Sequence, residues 1–240
     1  MVYMDAKNNK NRFAFVIPVY NHAGTVAQVV RDAQALSFPV FVVDDGSTDN
    51  TYDQIKEIES IKILRHAQNQ GKGAAIMTGF AAAAAVADFA ITIDADGQHY
   101  PKDAKKLIKA ISKKTRPIVV GARDYMPGEH VPWTSSFGRK FSNFWVRTSG
   151  GPAISDTQSG FRVYPLPEAL NLKTKARRFQ FEVEILVHAK RNGIPVIEAP
   201  VRVNYNPNGA RISHFRPFVD FLRNSSTFTC LIFRRIFLLK

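Results

Sequence analysis

The chain has 240 residues, 45% of them hydrophobic, and no low-complexity tract, enough to bury a full core as one large domain. A single cysteine, Cys230, excludes an intrachain disulfide and a cysteine-rich zinc site, and points to a reducing compartment. The net charge of +13 is uneven, with 13 Lys/Arg against 4 Asp/Glu in residues 171–240, so that end is expected to meet an anionic partner. Nucleic acid, anionic lipid and phosphorylated substrate all qualify on charge alone.

Residues 1–12 form a polar extension without an apolar stretch of signal-peptide length, and no window reaches the roughly 18 apolar residues of a spanning helix. Short apolar runs bounded by turn residues then predict strands at Phe13–Val19, Val40–Asp44, Ile61–Arg65, Phe89–Asp94 and Ile118–Ala122. Helix-length segments alternate with them at Thr25–Leu36, Thr51–Glu59, Gly73–Ala85 and Pro101–Lys113. Ser47, Asp49 and Asn50 are candidate caps for the second of these helices. After Ala122 the rhythm weakens, giving a long loop over Asp124–Gly138 and a helix at Arg139–Ser149. A strand at Ser159–Pro165, a helix at Phe179–Asn192 and a strand at Ile194–Val203 follow. The alternation predicts an α/β fold with a mostly parallel central sheet flanked by helices.

Ligands of such sheets bind beyond the carboxyl ends of the strands. Here those ends carry Pro18-Val19-Tyr20-Asn21, Asp44-Asp45-Gly46-Ser47 and Asp94-Ala95-Asp96-Gly97-Gln98, which are expected to line one crevice. In extended chain alternate side chains face the same way, so Asp94, Asp96 and Gln98 can present three oxygen donors to a hard dication such as Mg²⁺ or Mn²⁺. A plainer reading makes them caps of the helix near Pro101. Asp44 and Asp45 suit a ribose or a base N–H, with Ser47 to Asn50 as a structural turn. Asn69-Gln70-Gly71-Lys72-Gly73 matches neither glycine-rich phosphate fingerprint and reads as the turn leading into a helix, with Lys72 near nucleotide phosphates as the lesser alternative.

These motifs, together with Asp156-Thr157-Gln158-Ser159-Gly160-Phe161-Arg162, resemble the family 2 glycosyltransferases. The branch is that of dolichol-phosphate mannose synthase and related polyprenyl-phosphate sugar transferases, and the resemblance runs from about Phe13 to Ser213. It implies a GT-A fold over residues 13–214, inversion at the anomeric carbon, and a divalent metal bound to the donor diphosphate. By position it implies metal ligands at Asp96 and Gln98 with Asp94 beside them. It further implies a nucleotide pocket at Pro18, Tyr20, Asn21, Asp44 and Asp45, and phosphate-binding arginines at Arg123 and Arg139. The chain departs from the pattern at Asn206 to His214, where the arginine is displaced to Arg211 and the lysine is replaced.

The function expected is transfer of a hexose from a nucleoside-diphosphate sugar, of the GDP-mannose or UDP-glucose type, to a polyprenyl or dolichyl phosphate. The leaving diphosphate develops charge that a dication stabilises, so Asp96 belongs to the catalytic group. A lipid-phosphate acceptor is already anionic and needs positioning, for which Arg123, Arg139, Arg162 and Arg211 are the candidates. A hydroxyl acceptor would need a base, and Asp156 is placed for it; its alternative role is to anchor its loop.

The segment 215–240 alternates apolar clusters with Arg216, Arg223, Arg234, Arg235 and Lys240. It reads either as a helix lying in a membrane interface or as one packed on the domain. The expected location is the cytoplasmic face of a membrane. A basic nucleic-acid binder lacks any recognition motif here, and a dinucleotide oxidoreductase lacks its glycine fingerprint.

Overall fold

The computed structural model describes residues 11–112, 114–124, 133–204, 225, 227–233 and 236. The strands are β1 (Phe13–Val19), β2 (Val40–Asp44), β3 (Ile61–Arg65), β4 (Phe89–Thr92), β5 (Ile118–Asp124), β6 (Arg162–Pro165) and β7 (Val196–Arg202). They form one sheet in the order β3-β2-β1-β4-β6-β5-β7. All pairings are parallel except the two made by β6, which runs against β4 and β5. The helices are α1 (Val26–Gln34), α2 (Thr51–Ile55), α3 (Lys72–Ala83), α4 (Ala104–Lys109), α5 (Trp133–Thr148), α6 (Glu168–Asn171) and α7 (Phe181–Arg191).

The continuous apolar runs of β1, β2 and β4 follow from burial on both faces of the sheet. One core layer packs Phe15, Ile17, Phe89 and Ile91 beneath α1, α2 and α4 through Val26, Val30, Ile55 and Leu107. The other packs Ala14, Val16 and Ala90 against Ile76, Phe80, Phe181 and Ile185 of α3 and α7. Chain order reverses between β1 and β4, because β2 and β3 are added on one side of β1 and β4 on the other. That switch point opens a crevice at the carboxyl ends of those two strands.

Several expected bounds move. β4 ends at Thr92, two residues before Asp94, and the expected helix at Pro101–Lys113 divides into a 3-10 turn at Pro101–Asp103 followed by α4. α5 begins at Trp133 inside the stretch expected to be a loop, and α6 went unanticipated because four residues carry no periodic signal. The expected cap of α2 is supplied by Asp49, whose Oδ1 accepts from the Thr51 amide at 2.9 Å, whereas Asn50 makes no side-chain cap.

The polar segment 1–10 and most of 215–240 lie outside the described residues. The part of the tail that is described, 227–233, is helical and docks on the fold. Phe228 and Leu231 are buried against Val146, Val183 and Val187, and Arg191 Nη2 donates to the Leu231 carbonyl at 2.7 Å. Among the described residues no helix is long and apolar enough to cross a membrane.

Candidate active site

At the β2 tip the two adjacent aspartates are both buried and differently employed. Asp44 Oδ1 accepts from the Ser47 amide at 2.8 Å, while Oδ2 lies 3.0 Å from Arg65 Nε without an aligned hydrogen bond. Asp45 accepts from the amides of Gln70 (2.9 Å) and Gly71 (2.7 Å), and its Oδ1 lies 2.7 Å from His66 Nδ1. Asp45 thus pins the β3–α3 loop to β2. Asn21, with φ of 54°, is likewise structural: its Oδ1 accepts from the Thr48 amide at 2.8 Å and its backbone amide donates to Ser47 Oγ at 3.0 Å. Pro18 lies buried within β1 opposite Val43, and Tyr20 is partly exposed just beyond the strand. A cavity of about 480 Å³, lined by Gly46, Ser47, Thr48, Arg65, His66 and Ala67, opens beside this turn.

The Asp94–Gln98 segment does not converge by strand alternation, because the chain turns at Ala95 and Asp96 and Gly97 takes φ of 74°. Asp94 Oδ1 lies 2.6 Å from Lys72 Nζ, and the same ammonium lies 2.6 Å from Glu182 Oε1. Lys72 therefore faces two carboxylates from the first residue of α3, where the segment Asn69 to Gly73 leads into that helix as expected. Burial alone would raise the Asp94 pKa, but Lys72 outweighs it and holds the carboxyl below its usual range. Asp96 moves the other way, raised by burial and by the charge of Asp94. His99 is 7% exposed, its Nδ1 has no hydrogen-bond partner, and burial lowers its pKa against the pull of Asp94 and Asp96.

Two carboxylates that repel each other beside an unpartnered imidazole nitrogen fit a bound cation. Among the described residues no group of three or more His, Cys, Asp or Glu side chains is arranged to hold a metal ion by itself. The donor types of Asp94, Asp96 and Gln98 suit a hard dication whose remaining ligands would come from substrate phosphate. The segment is held from outside: the Asn204 amide donates to the Gln98 carbonyl at 2.7 Å, and Arg202 clamps Asp103 through its amide and guanidinium.

Across the crevice, Arg123 makes a two-pronged contact with Asp156, Nε to Oδ2 at 2.6 Å and Nη2 to Oδ1 at 2.8 Å. Burial opposes ionisation of Asp156, but Arg123, aided by Arg139, keeps its pKa below the usual carboxylate range. A carboxylate so paired is a poor base, and it anchors its loop. Glu198 Oε1 accepts from the Ser155 and Asp156 amides, and Asn143 Oδ1 from the Thr157 amide, fixing the same loop to β7 and α5. Arg162 corrects an expectation: it is fully buried and donates to the carbonyls of Ser159, Thr157 and Glu182 and to Tyr164 Oη, leaving it no reach toward an acceptor. Arg211 lies outside the described residues.

Gly160 ties the two sides together. A Cβ there would meet Asp94 Oδ2 at 2.5 Å, so the loop after Asp156 passes directly beneath the first aspartate of the other cluster. His99 lies near enough to both clusters that the charges of Asp94, Asp96, Arg123 and Asp156 all bear on it, Arg123 opposing the three carboxylates. Sequence reasoning missed Glu182 and His66. Glu182 had a signal in the glutamates at 182 and 184, two charges among the apolar residues that open the helix and must find partners if buried.

The model of the family described as glycosyl transferase family 2 matches residues 14–169. The chain belongs to that family. It is 34% identical to the UDP-N-acetylglucosamine–dolichyl-phosphate N-acetylglucosaminyltransferase of Methanococcus voltae, over 79% of this chain and 84% of the relative. It is 31% identical to the dolichyl-phosphate beta-glucosyltransferase of Saccharomyces cerevisiae, over 78% of this chain but 65% of that longer protein. A crystal structure of S. aureus TarS in complex with UDP-GlcNAc matches with a TM-score of 0.57 at 15% identity, over 92% of this chain and 66% of that one. The last likeness establishes the fold, GT-A, of this glycosyltransferase.

Proposed function

We propose that this glycosyltransferase moves a hexose from a nucleoside-diphosphate sugar to a polyprenyl phosphate, with inversion, at the cytoplasmic face of a membrane. The observation that carries the choice of acceptor is the Arg123–Asp156 pair. A hydroxyl acceptor needs a base, and the carboxylate best placed for it is held ionised by a guanidinium and by Arg139. A phosphate acceptor is anionic already and needs a cation to seat it, the role proposed for Arg139 beside the Arg123–Asp156 pair. The names of the dolichyl-phosphate relatives support the same reading.

On the donor side, the cavity at the β2 tip lies next to Asp44 and suits the nucleoside. Mg²⁺ or Mn²⁺ held by Asp96 and Gln98 with Asp94 would stabilise charge on the departing diphosphate. The chain's own residues do the remaining work: the Asp45 and Asn21 contacts fix the nucleoside side, and the loop from Ser155 to Phe161 fixes the acceptor side. Membrane contact is supported by Phe144, Phe233 and Ile236, exposed at 61%, 56% and 65%, on α5 and on the tail that packs against it.

Sugar transfer from GDP-mannose, UDP-glucose and UDP-N-acetylglucosamine tests the proposal, using polyprenyl phosphate and a panel of hydroxyl acceptors, with Mn²⁺ or with a chelator. Transfer to the lipid phosphate that stops in chelator is the expected result. Transfer to hydroxyl acceptors alone overturns the acceptor assignment, and full activity in chelator overturns the metal assignment.

A further inference from the structure

In the partly buried Glu182–Lys72–Asp94 chain, Glu182 and Lys72 are assigned no role by the family motifs. Lys72 Nζ sits 2.6 Å from each carboxylate, with side-chain exposures of 9% for Glu182, 16% for Lys72 and 26% for Asp94. The arrangement is enforced from both ends. Lys72 opens α3 and Glu182 lies in the first turn of α7, and Gly73 lets those two helix starts touch, since a Cβ there would meet Phe181 Cβ at 2.6 Å and the Ala176 carbonyl at 2.8 Å. Arg162 fixes the backbone of α7 at Glu182 by donating to its carbonyl at 2.8 Å. Gly160 leaves Asp94 the space it occupies.

Burying two carboxylates and an ammonium contributes little to stability compared with apolar packing of the same volume. Its consequence at the site is electrostatic. The ammonium occupies Asp94 Oδ1 and leaves Oδ2 of that group for anything else. Counted formally, Asp94, Asp96, Glu182 and Lys72 sum to a charge of −2, equal and opposite to a dication. Without Glu182 the lysine would cancel half of that attraction; without Lys72 three carboxylates would crowd one pocket.

We infer that Glu182 and Lys72 are positioning residues that set the charge of the cation site: Lys72 orients and half-neutralises Asp94, and Glu182 restores the missing negative charge. The inference rests on the metal reading above. It makes opposite predictions for two single variants, which a merely structural role does not. Removing the ammonium in Lys72→Met leaves the site one unit more negative and tightens Mn²⁺ about tenfold, since a dication a few ångströms from a changed unit charge responds at that scale. Removing the charge of Glu182 in the isosteric Glu182→Gln weakens Mn²⁺ about tenfold by the same reasoning. The double variant has the wild-type formal charge and is expected to return to within about twofold of wild-type affinity.

The experiment is titration of the full chain with Mn²⁺ alone, followed by electron paramagnetic resonance of free Mn²⁺, with melting temperature recorded for each variant. Opposite shifts in the singles and recovery in the double support the inference. Should Lys72→Met fail to fold, the isosteric Glu182→Gln still decides it, by weakened or unchanged binding. Unchanged affinity, or shifts of the same sign, overturns it while leaving the metal assignment intact. Wild-type protein that binds no Mn²⁺ by itself also overturns it, and the chelator assay then decides the metal assignment separately.

Discussion

Replacing Gly160 with alanine adds one methyl group against a pinned carboxylate. The new Cβ would lie 2.5 Å from Asp94 Oδ2 and 2.8 Å from its Cγ and Oδ1, where ordinary contact begins at 3.4 Å, so Asp94 or the loop must move by about 0.9 Å. Neither partner is free to do so. Asp94 is tied to Lys72 at 2.6 Å, and the Gly160 carbonyl accepts from Thr92 Oγ1 at 2.8 Å at the end of β4. Overpacking of this kind costs about 1–3 kcal/mol, a modest fall in melting temperature for a domain of this size. The effect on turnover is expected to be larger, about 100-fold in kcat, because displacement by an ångström at a reacting centre has that scale. Steady-state transfer kinetics beside Asp94→Asn, together with a thermal melt, make the measurement. A folded Gly160→Ala protein with wild-type kcat/KM would show that Asp94 has no part in the site, or that the loop yields without consequence.

Arg162→Met is expected to lower the melting temperature by roughly 10 °C, since it strands three buried carbonyls, and Arg162→Lys should not restore it; an unchanged melt would return Arg162 to the acceptor side. Asp156→Asn leaves Arg123, 12% exposed, without its counter-charge and is expected to cost about 3–5 kcal/mol near neutral pH. Because the folded pKa of Asp156 is depressed, its contribution is complete above the ordinary carboxylate range and disappears as pH falls through the folded value. The gap between wild-type and Asp156→Asn melting temperatures should therefore close in acid; a gap independent of pH contradicts the pair. Substituting Phe144, Phe233 and Ile236 together by serine should reduce co-sedimentation with anionic vesicles and spare turnover on a short-chain soluble acceptor. Equal sedimentation would remove this patch from the membrane contact.

The sequence by itself determined the alternation of strands and helices, the strand tips that carry acidic residues, and the family, because buried parallel strands are short, apolar and bounded by turns. It could not show what depended on a partner far along the chain. Arg162 reads as a cation available for phosphate, and only the meeting of β6 with α7 and the loop after Asp156 shows its donors consumed. Lys72 is 110 residues from Glu182, and no local pattern pairs them. Asp94 and Asp96 look equivalent in Asp-Ala-Asp, yet their pKa values move in opposite directions. Local propensity and hydrophobic period are written in neighbouring residues, whereas the charge a buried side chain feels is set by whichever groups the fold brings within a few ångströms of it.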